Sequence, residues 1–248
     1  MANGNTSHEV LAVVFQVQAR GAGSPRATPR LRVLLWQRAQ DPYKDAWSLP
    51  GGRLHSDEDM TNSARRQLAE KVDLREVAHL EQLAVFSDPA RVPGARVIAS
   101  TFLGLVPFPA NPELPPDTCW HAVDELPPMA FDHGPMVSHA HARLIAKLSY
   151  TNIGFALAPR EFALSTLRDI YGAALGYQVD QTNLQRVLVR RGVITQTGTT
   201  AASGRSGGRP AALYRFTDSH IRVTDEFAAL RPPGPPVALA DAGSRPQH

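Results

Sequence analysis

Apolar runs separated by polar, glycine-containing breaks divide the first half of the chain into short strands. The runs EVLAVVFQVQAR at 9–20 and LRVLLWQR at 31–38 are rich in β-branched and apolar residues, which predicts two buried strands. Two more strands are predicted within 80–107, joined by a turn near Pro93 and Gly94. Because these strands alternate with two predicted helices, the pattern indicates an α/β sandwich.

From Pro135 onward the spacing of apolar residues becomes that of helices. A second helix is predicted at 163–175 and stops at Gly176, and a third opens with Asp180 as its N-cap and ends at Gly192. The first of the three helices has its apolar stripe at Met136, Ala140, Leu144 and Leu148.

A hairpin is predicted after these helices. A short strand at 193–196 is followed by the glycine-rich loop TGTTAASGRSGGRP at 197–210 and by a strand at 212–216. Three helices followed by a two-stranded hairpin with a basic tip is the order of elements in a winged helix-turn-helix domain.

Charge is distributed unevenly between the two halves of the chain. The net charge is +3, yet residues 151–248 contain 11 arginines, no lysine and 7 acidic residues. Arginine makes bidentate contacts with phosphates and guanine edges, so this asymmetry favours a nucleic-acid partner, although a solvated basic face would give the same count. The single cysteine, Cys119, excludes an internal disulfide, and no apolar run reaches membrane-spanning length, so we expect a cytoplasmic protein without a membrane partner.

The third helix carries the candidate DNA contacts. The early residues of a recognition helix meet base edges in the major groove, and later arginines reach phosphates. An exposed polar helix face that supports only a dimer interface is the alternative. The DNA-binding candidates on this helix and on the hairpin loop are Thr182, Asn183, Gln185, Arg186, Arg190, Arg191, Arg205 and Arg209.

The stretch GGRLHSDEDMTNSARRQLAEKVDL at 51–74, which we call the box, has the spacing of a metal-binding pyrophosphatase helix but lacks carboxylates at two metal-binding positions. Carboxylates at i, i+3 and i+4 would lie on one helical face and bind Mg²⁺. Here these positions hold Gln67, Glu70 and Lys71. Two of the three carboxylates are therefore missing, and we expect no catalytic residues, no bound metal and no required cofactor.

The box resembles the signature of the Nudix family. Counted from Gly52, it matches the signature at Glu58, Arg66, Leu68, Glu70 and Leu74 and departs from it at Gln67, Lys71 and Asp73. The runs FDHGPM at 131–136, REFALSTLRDIYGAALG at 160–176, VDQTNLQRVLVRRG at 179–192 and GRPAALYRF at 208–216 resemble the Nudix-related transcriptional regulators of NAD metabolism, the NrtR family.

This resemblance implies an N-terminal Nudix α/β/α sandwich followed by a C-terminal winged helix-turn-helix domain. It also implies a homodimeric repressor that binds palindromic operator DNA of NAD synthesis or salvage genes and senses ADP-ribose or a related NAD metabolite. An active Nudix hydrolase of ADP-ribose-like compounds, with metal ligands from outside the box, is the alternative.

Several candidate ligand-binding residues have a structural alternative. Arg66 has an alternative partner in Glu58, and Trp47 an alternative place in the core. Asp88, Arg91 and Arg96 either reach the same pocket or pair at the surface. His133 follows Asp132, and because no nucleophile is near, we expect a structural role for this histidine. The candidate ligand-binding residues are Arg38, Trp47, Arg53, Arg66 and Glu70.

Four segments follow from these patterns. We predict a flexible tail at 1–8, a Nudix-like sensing domain at 9–134 and a winged helix domain at 135–217. The remaining residues, 218–248, are predicted to be an extension that is mostly disordered after 231, because its end is rich in proline, glycine and alanine.

Overall fold

A seven-stranded mixed sheet forms the centre of the N-terminal half in the computed structural model, which describes residues 6–18, 28–201 and 210–226. The order along the sheet is β3-β2-β1-β6-β5, with β4 paired to β1 and β7 paired to β2, and the β1–β6 pair is parallel. The strands are β1 (Ser7–Gln18), β2 (Arg30–Gln37), β3 (Trp47–Ser48), β4 (Gly51–Arg53), β5 (His79–Phe86), β6 (Val97–Val106) and β7 (Thr118–Ala122).

Side chains of β1 alternate between the two faces of this sheet. Ala12 and Val14 pack with Leu68 and Val72 of helix α1 (Met60–Val72). On the opposite face Val13 and Phe15 pack with the apolar residues of helices α2 (His133–Tyr150) and α3 (Leu164–Leu175). Helices therefore cover both faces, and the predicted α/β/α sandwich is confirmed.

Helix α2 connects the two halves of the molecule. The predicted stripe of Met136, Ala140, Leu144 and Leu148 is buried. This stripe lies in the same core cluster as Phe15 of the sheet and Leu167 of α3, so one continuous core joins the two halves. The boundary at 134/135 stays a prediction, because α2 packs against elements on both sides of it.

The C-terminal half is a winged helix. A short 3-10 helix (Ile153–Ala156) and α3 precede α4 (Gln181–Arg190), and the strands β8 (Phe162–Ala163), β9 (Ile194–Thr200) and β10 (Ala212–Phe216) form a sheet in the order β8-β10-β9. This sheet has one strand more than predicted, and β9 extends beyond 196 because Thr200 still pairs with Ala212 across a register shift. Among the described residues, no helix combines the length and apolar character that a membrane span needs.

Two predicted helix ends follow from local chemistry. The Asp180 carboxylate accepts a hydrogen bond from the Asn183 backbone N–H at 2.7 Å, as an N-cap does. Gly176 closes α3 with φ 76°, in the left-handed region that glycine enters without strain. These two signals fix where the chain turns from α3 into α4.

Candidate ligand pocket and DNA-reading helix

Two glycines shape the turn in front of the box helix α1. A Cβ added to Gly51 would lie 2.3 Å from the Val10 carbonyl oxygen, and one added to Gly52 would lie 2.7 Å from Nε2 of Gln67. The Gln67 side chain therefore occupies the space directly against this turn, and the residue is buried. Where the signature has a metal-binding glutamate, this chain has an amide packed beneath the turn.

Arg66 braces the box internally. Its Nε and Nη2 donate to the two Glu58 carboxylate oxygens at 2.9 and 2.6 Å, and its Nη1 donates to Oε2 of Glu70 at 3.1 Å. The hydrogen bonds from Arg66 hold the pKa of the Glu58 carboxyl well below its usual range. The bracing pair considered as an alternative for Arg66 is thus present.

Lys71 interacts with an aromatic ring. Its Nζ lies 5.0 Å from the centroid of the Trp36 ring, a cation–π distance. The indole Nε1 of Trp36 donates to the Leu49 carbonyl at 3.0 Å, which holds the ring in place. The ammonium group consequently has a structural partner in β2.

The metal implied by the Nudix fold does not fit this set of side chains. A buried amide at Gln67, a Glu70 carboxylate shared with Arg66, and an ammonium at Lys71 replace the oxygen cluster that Mg²⁺ requires. Within the described part of the chain, no group of three or more His, Cys, Asp and Glu residues is placed to hold a metal ion.

Asp73 occupies a position where the signature has glycine. It adopts φ 50° and ψ 28°, and its backbone N–H donates to the Leu68 carbonyl, which caps the end of α1. Aspartate is among the few side chains that tolerate this left-handed conformation. The departure from the signature therefore preserves the helix end.

An aromatic cluster, formed by Arg38, Tyr43 and Phe131, lies near the loop in front of the box, since the Phe131 ring is 5.5 Å from the ring of His133, which contacts Leu49. The Arg38 guanidinium lies 4.8 Å from the Phe131 ring centroid, and Tyr43 meets Phe131 edge-on at 4.9 Å between centroids. Tyr43 and Phe131 have φ of 66° and 53°, which is strained for residues with a side chain. Both aromatics were missed from the sequence, because only the folded loops bring residues 43 and 131 together.

Trp47 is engaged elsewhere. Its ring meets His121 at 4.2 Å between centroids, and it packs, partly buried, against the main core. The core alternative therefore describes Trp47 better than adenine stacking does. Arg53, by contrast, is an exposed residue of the box itself.

Arg91 is paired with two carboxylates and is therefore not a free cation. It donates from Nε and Nη2 to both oxygens of Asp132 at 3.0 and 2.9 Å, and from Nη1 to Glu9 at 2.6 Å. Its side chain is 1% exposed. Asp88 accepts from the Ala90 N–H, and Arg96 donates to the Ser87 carbonyl, so both stabilise their own loop.

His133 has the structural role expected for it. Its Nδ1 accepts a hydrogen bond from the Leu49 backbone N–H at 3.1 Å and lies 3.2 Å from the Ser48 hydroxyl oxygen. Burial lowers the pKa of His133 to about 3, so the ring is neutral near pH 7. The histidine ties the first turn of α2 to the loop in front of the box.

Helix α4 presents a continuous polar face to solvent. Leu184 and Leu188 are buried, which turns the other side of the helix outward. The predicted contacts that are exposed on this outward side are Thr182, Asn183, Arg186 and Arg190. Within this face, Arg186 donates to the Asn183 side-chain oxygen at 2.8 Å.

Two of the predicted DNA contacts have partners inside the protein. The Gln185 amide donates to the Tyr214 hydroxyl at 3.0 Å and so joins α4 to the hairpin. Arg191 pairs with Asp225 and donates to the Ser149 carbonyl at 2.8 Å. Because their polar groups have partners within the protein, we leave both out of the candidate DNA-reading face, which consists of Thr182, Asn183, Arg186 and Arg190. The predicted Arg205 and Arg209 lie outside the described residues.

Comparisons with known proteins match both halves of the chain. A family model described as the NUDIX domain matches residues 17–140, and one described as the NrtR DNA-binding winged helix domain matches residues 154–216.

Similar proteins extend over most of the chain. The "ADPR responsive transcriptional repressor NtrR" of Acinetobacter baylyi is 31% identical over 194 residues, which is 75% of this chain and 76% of that protein. The structure of Shewanella oneidensis NrtR complexed with a 27mer DNA is 26% identical, with a TM-score of 0.69 over 84% of this chain and 93% of that one. A MutT/nudix family protein from Enterococcus faecalis, 19% identical, shares the fold with a TM-score of 0.63 over 88% of both chains. This chain therefore belongs to the NrtR family of transcriptional regulators, in which a Nudix domain precedes a winged helix.

Proposed function

We propose that this protein is a transcriptional repressor that binds operator DNA through α4. Its affinity for the operator changes when the Nudix domain binds ADP-ribose or a related NAD metabolite. The observation that carries the proposal is the exposed DNA-reading face of α4 in a chain of the NrtR family. The Acinetobacter relative is described as ADPR-responsive and the Shewanella relative was solved with DNA, which supports both parts of the proposal.

The DNA-reading face has the chemistry to read a major groove. The amide of Asn183 suits adenine edges and the guanidinium of Arg186 suits guanine edges, while Arg190 one turn later suits phosphates. A homodimer would place two such helices on the two halves of a palindromic operator. NAD synthesis or salvage genes are the proposed targets, and the cytoplasm the proposed location.

Duplex binding tests the DNA part directly. A duplex selected by the full chain from a randomised pool is labelled, and fluorescence anisotropy is measured over a salt series, since phosphate contacts make affinity fall with salt. We expect one duplex to be preferred over random sequence, and sedimentation to show two chains per duplex. Absence of duplex binding at low salt contradicts the proposal.

For the effector we propose the region around the box, with the aromatic cluster added to the predicted ligand residues. Arg38 and Arg53 offer guanidinium groups for a diphosphate, and Tyr43 or Phe131 offers a ring for adenine. Arg66 and Glu70 support this region by bracing the box, and Trp47 by packing beneath the loops.

We further propose that the protein binds ADP-ribose without hydrolysing it, because the side chains of the box do not fit Mg²⁺. Titration calorimetry with ADP-ribose measures binding, and incubation with ADP-ribose plus Mg²⁺ or Mn²⁺ followed by AMP detection measures turnover. Binding without AMP formation is the expected result. Sustained AMP formation would establish the alternative, an active hydrolase with metal ligands from outside the box.

A further inference from the structure

The segment 218–226, which we name the C-terminal strap, folds back from the hairpin onto the end of α2. Asn152 holds it at three points. The Asn152 Nδ2 donates to the His220 carbonyl at 2.9 Å, its Oδ1 accepts from the Arg222 N–H at 2.7 Å, and its backbone N–H donates to the Arg222 carbonyl at 3.2 Å. Asn152 is 1% exposed, so these bonds are shielded from water.

Further backbone contacts extend this attachment along the strap. Thr151 forms an antiparallel bridge with Val223, and the Thr224 N–H donates to the Tyr150 carbonyl at 2.7 Å. The last residues of α2 are therefore paired with the strap in the manner of a short β-ladder.

The strap also holds the end of α4. Arg222 donates from Nη2 to the Gly192 carbonyl at 2.9 Å, and Asp225 pairs with Arg191. The same Arg191 guanidinium donates to the Ser149 carbonyl of α2 at 2.8 Å. The end of the DNA-reading helix is thus tied to the end of α2 both directly and through the strap.

Helix α2 is in turn anchored to the Nudix half at both ends. Near its C-terminus Lys147 pairs with Glu81 of β5 at 2.7 Å. At its N-terminus His133 accepts from the Leu49 N–H in the loop in front of the box, and Asp132 accepts from Arg91. A shift of α2 against the sheet would consequently move the strap and α4 together.

We propose that the C-terminal strap positions the DNA-reading helix relative to the Nudix domain, with Arg191, Asp225 and Asn152 as positioning residues that touch neither operator nor effector. This inference rests on the proposed function and adds to it, because the strap follows the end of the matched winged helix region at residue 216. An attachment that only stabilises the fold is the alternative.

The test uses the full chain with Asp225→Asn, which keeps the side-chain size and removes the charge facing Arg191. Asp117→Asn is the control for the loss of one carboxylate charge, because Asp117 is exposed in the Nudix half and accepts a hydrogen bond from the neighbouring Thr118 hydroxyl. Arg191→Lys is a second variant that retains the positive charge but loses the second hydrogen-bonding arm. Melting temperature, duplex affinity with and without ADP-ribose, and hydrogen exchange of peptides covering 147–152 and 184–192 are measured.

We expect Asp225→Asn and Arg191→Lys to speed hydrogen exchange in both peptides. Duplex binding should weaken about fivefold, within the range of ordinary coupling between sites, and ADP-ribose should change the duplex affinity less than it does in wild type. Asp117→Asn should behave as wild type. A lowered melting temperature with unchanged exchange in these peptides and an unchanged ADP-ribose effect would overturn the proposal in favour of plain stabilisation.

The exchange measurement separates this inference from the proposed function. If the wild-type chain binds no duplex, the repressor function fails, while local exchange at 184–192 still decides whether Asp225 fixes the end of α4. Unchanged exchange in Asp225→Asn overturns the positioning role whatever the DNA result.

Discussion

Helices α1 and α4 begin alike and use their polar side chains in opposite ways. In each, an aspartate N-cap accepts a backbone hydrogen bond from the asparagine three residues later, Asp59 from Asn62 at 2.9 Å and Asp180 from Asn183 at 2.7 Å. After this shared start, Arg66 of α1 pairs with Glu58 of the same box, whereas Thr182, Asn183, Arg186 and Arg190 of α4 face solvent.

The two helices show that the same N-terminal cap can precede a helix whose polar groups pair within the protein and one whose polar groups face solvent. In α1 side chains at and beside the metal-binding positions of the signature have protein partners, as the Arg66–Glu58 pair and the Lys71–Trp36 contact illustrate. In α4 the buried Leu184 and Leu188 turn the opposite side of the helix outward, so Thr182 and Arg190 are exposed to solvent. This contrast supports the proposal that α4 carries the DNA recognition.

The largest expected effect is on acid stability, which should depend on the Nudix half, where the buried His133 joins α2 to the loop in front of the box. The folded-state pKa of His133, about 3, lies below its ordinary value of 6.5, so the unfolded chain takes up the proton first. Stability is then complete above pH 6.5 and is lost as the pH falls toward 3, by up to ~1.4 kcal/mol per pH unit. Urea unfolding of wild type and of His133→Asn between about pH 6.5 and 5.5 measures this slope, above the ordinary carboxyl pKa of 4.5 around which Glu58 and Glu81 begin to contribute.

The variant should be less stable at neutral pH yet show a flatter slope, with the remainder coming from His121, whose pKa burial also lowers. An equal slope in both proteins would remove His133 from this account.

The second effect separates the two helices by DNA affinity. Arg186→Ala removes an exposed guanidinium from the DNA-reading face and should weaken binding to the selected duplex by ~1–3 kcal/mol, roughly 5- to 150-fold. Arg66→Ala, the matched change in α1, should lower the melting temperature and leave duplex affinity unchanged at the same salt concentration. Anisotropy measurements that find both variants equally weak would erase the distinction between the helices.

Much of the fold was predictable because it rests on local signals. The buried stripe of α2, the Asp180 cap and the stop at Gly176 follow from periodicity and capping, and the structure has all three. The partners of individual arginines were not predictable. Arg191 follows Arg190 directly in sequence, and only the folded chain, which brings Asp225 next to Arg191, shows that Arg191 is paired. The same holds for Tyr43 and Phe131, which only the folded loops bring together.

The third effect uses the shared N-caps as a matched pair. Asp59→Ala and Asp180→Ala each remove one capping bond and should each cost about 1 kcal/mol of stability, measured by urea unfolding. Only Asp180→Ala should also weaken duplex binding, because fraying the first turn of α4 displaces Asn183 from its reading position. A loss of duplex affinity in Asp59→Ala would show that the box helix contributes to DNA binding after all.

The smallest effect concerns Lys71, the residue whose charge most directly opposes metal binding in the box. Its cation–π contact with Trp36 is exposed to solvent, so Lys71→Met should lower stability by only ~0.5–1 kcal/mol, and Lys71→Arg should retain most of it. Neither variant should change duplex affinity or ADP-ribose binding if the ammonium only holds the box together. A tenfold loss of ADP-ribose affinity in Lys71→Met that Lys71→Arg restores would instead make this cation a ligand contact, and α1 would then share with α4 the use of a charged side chain for recognition.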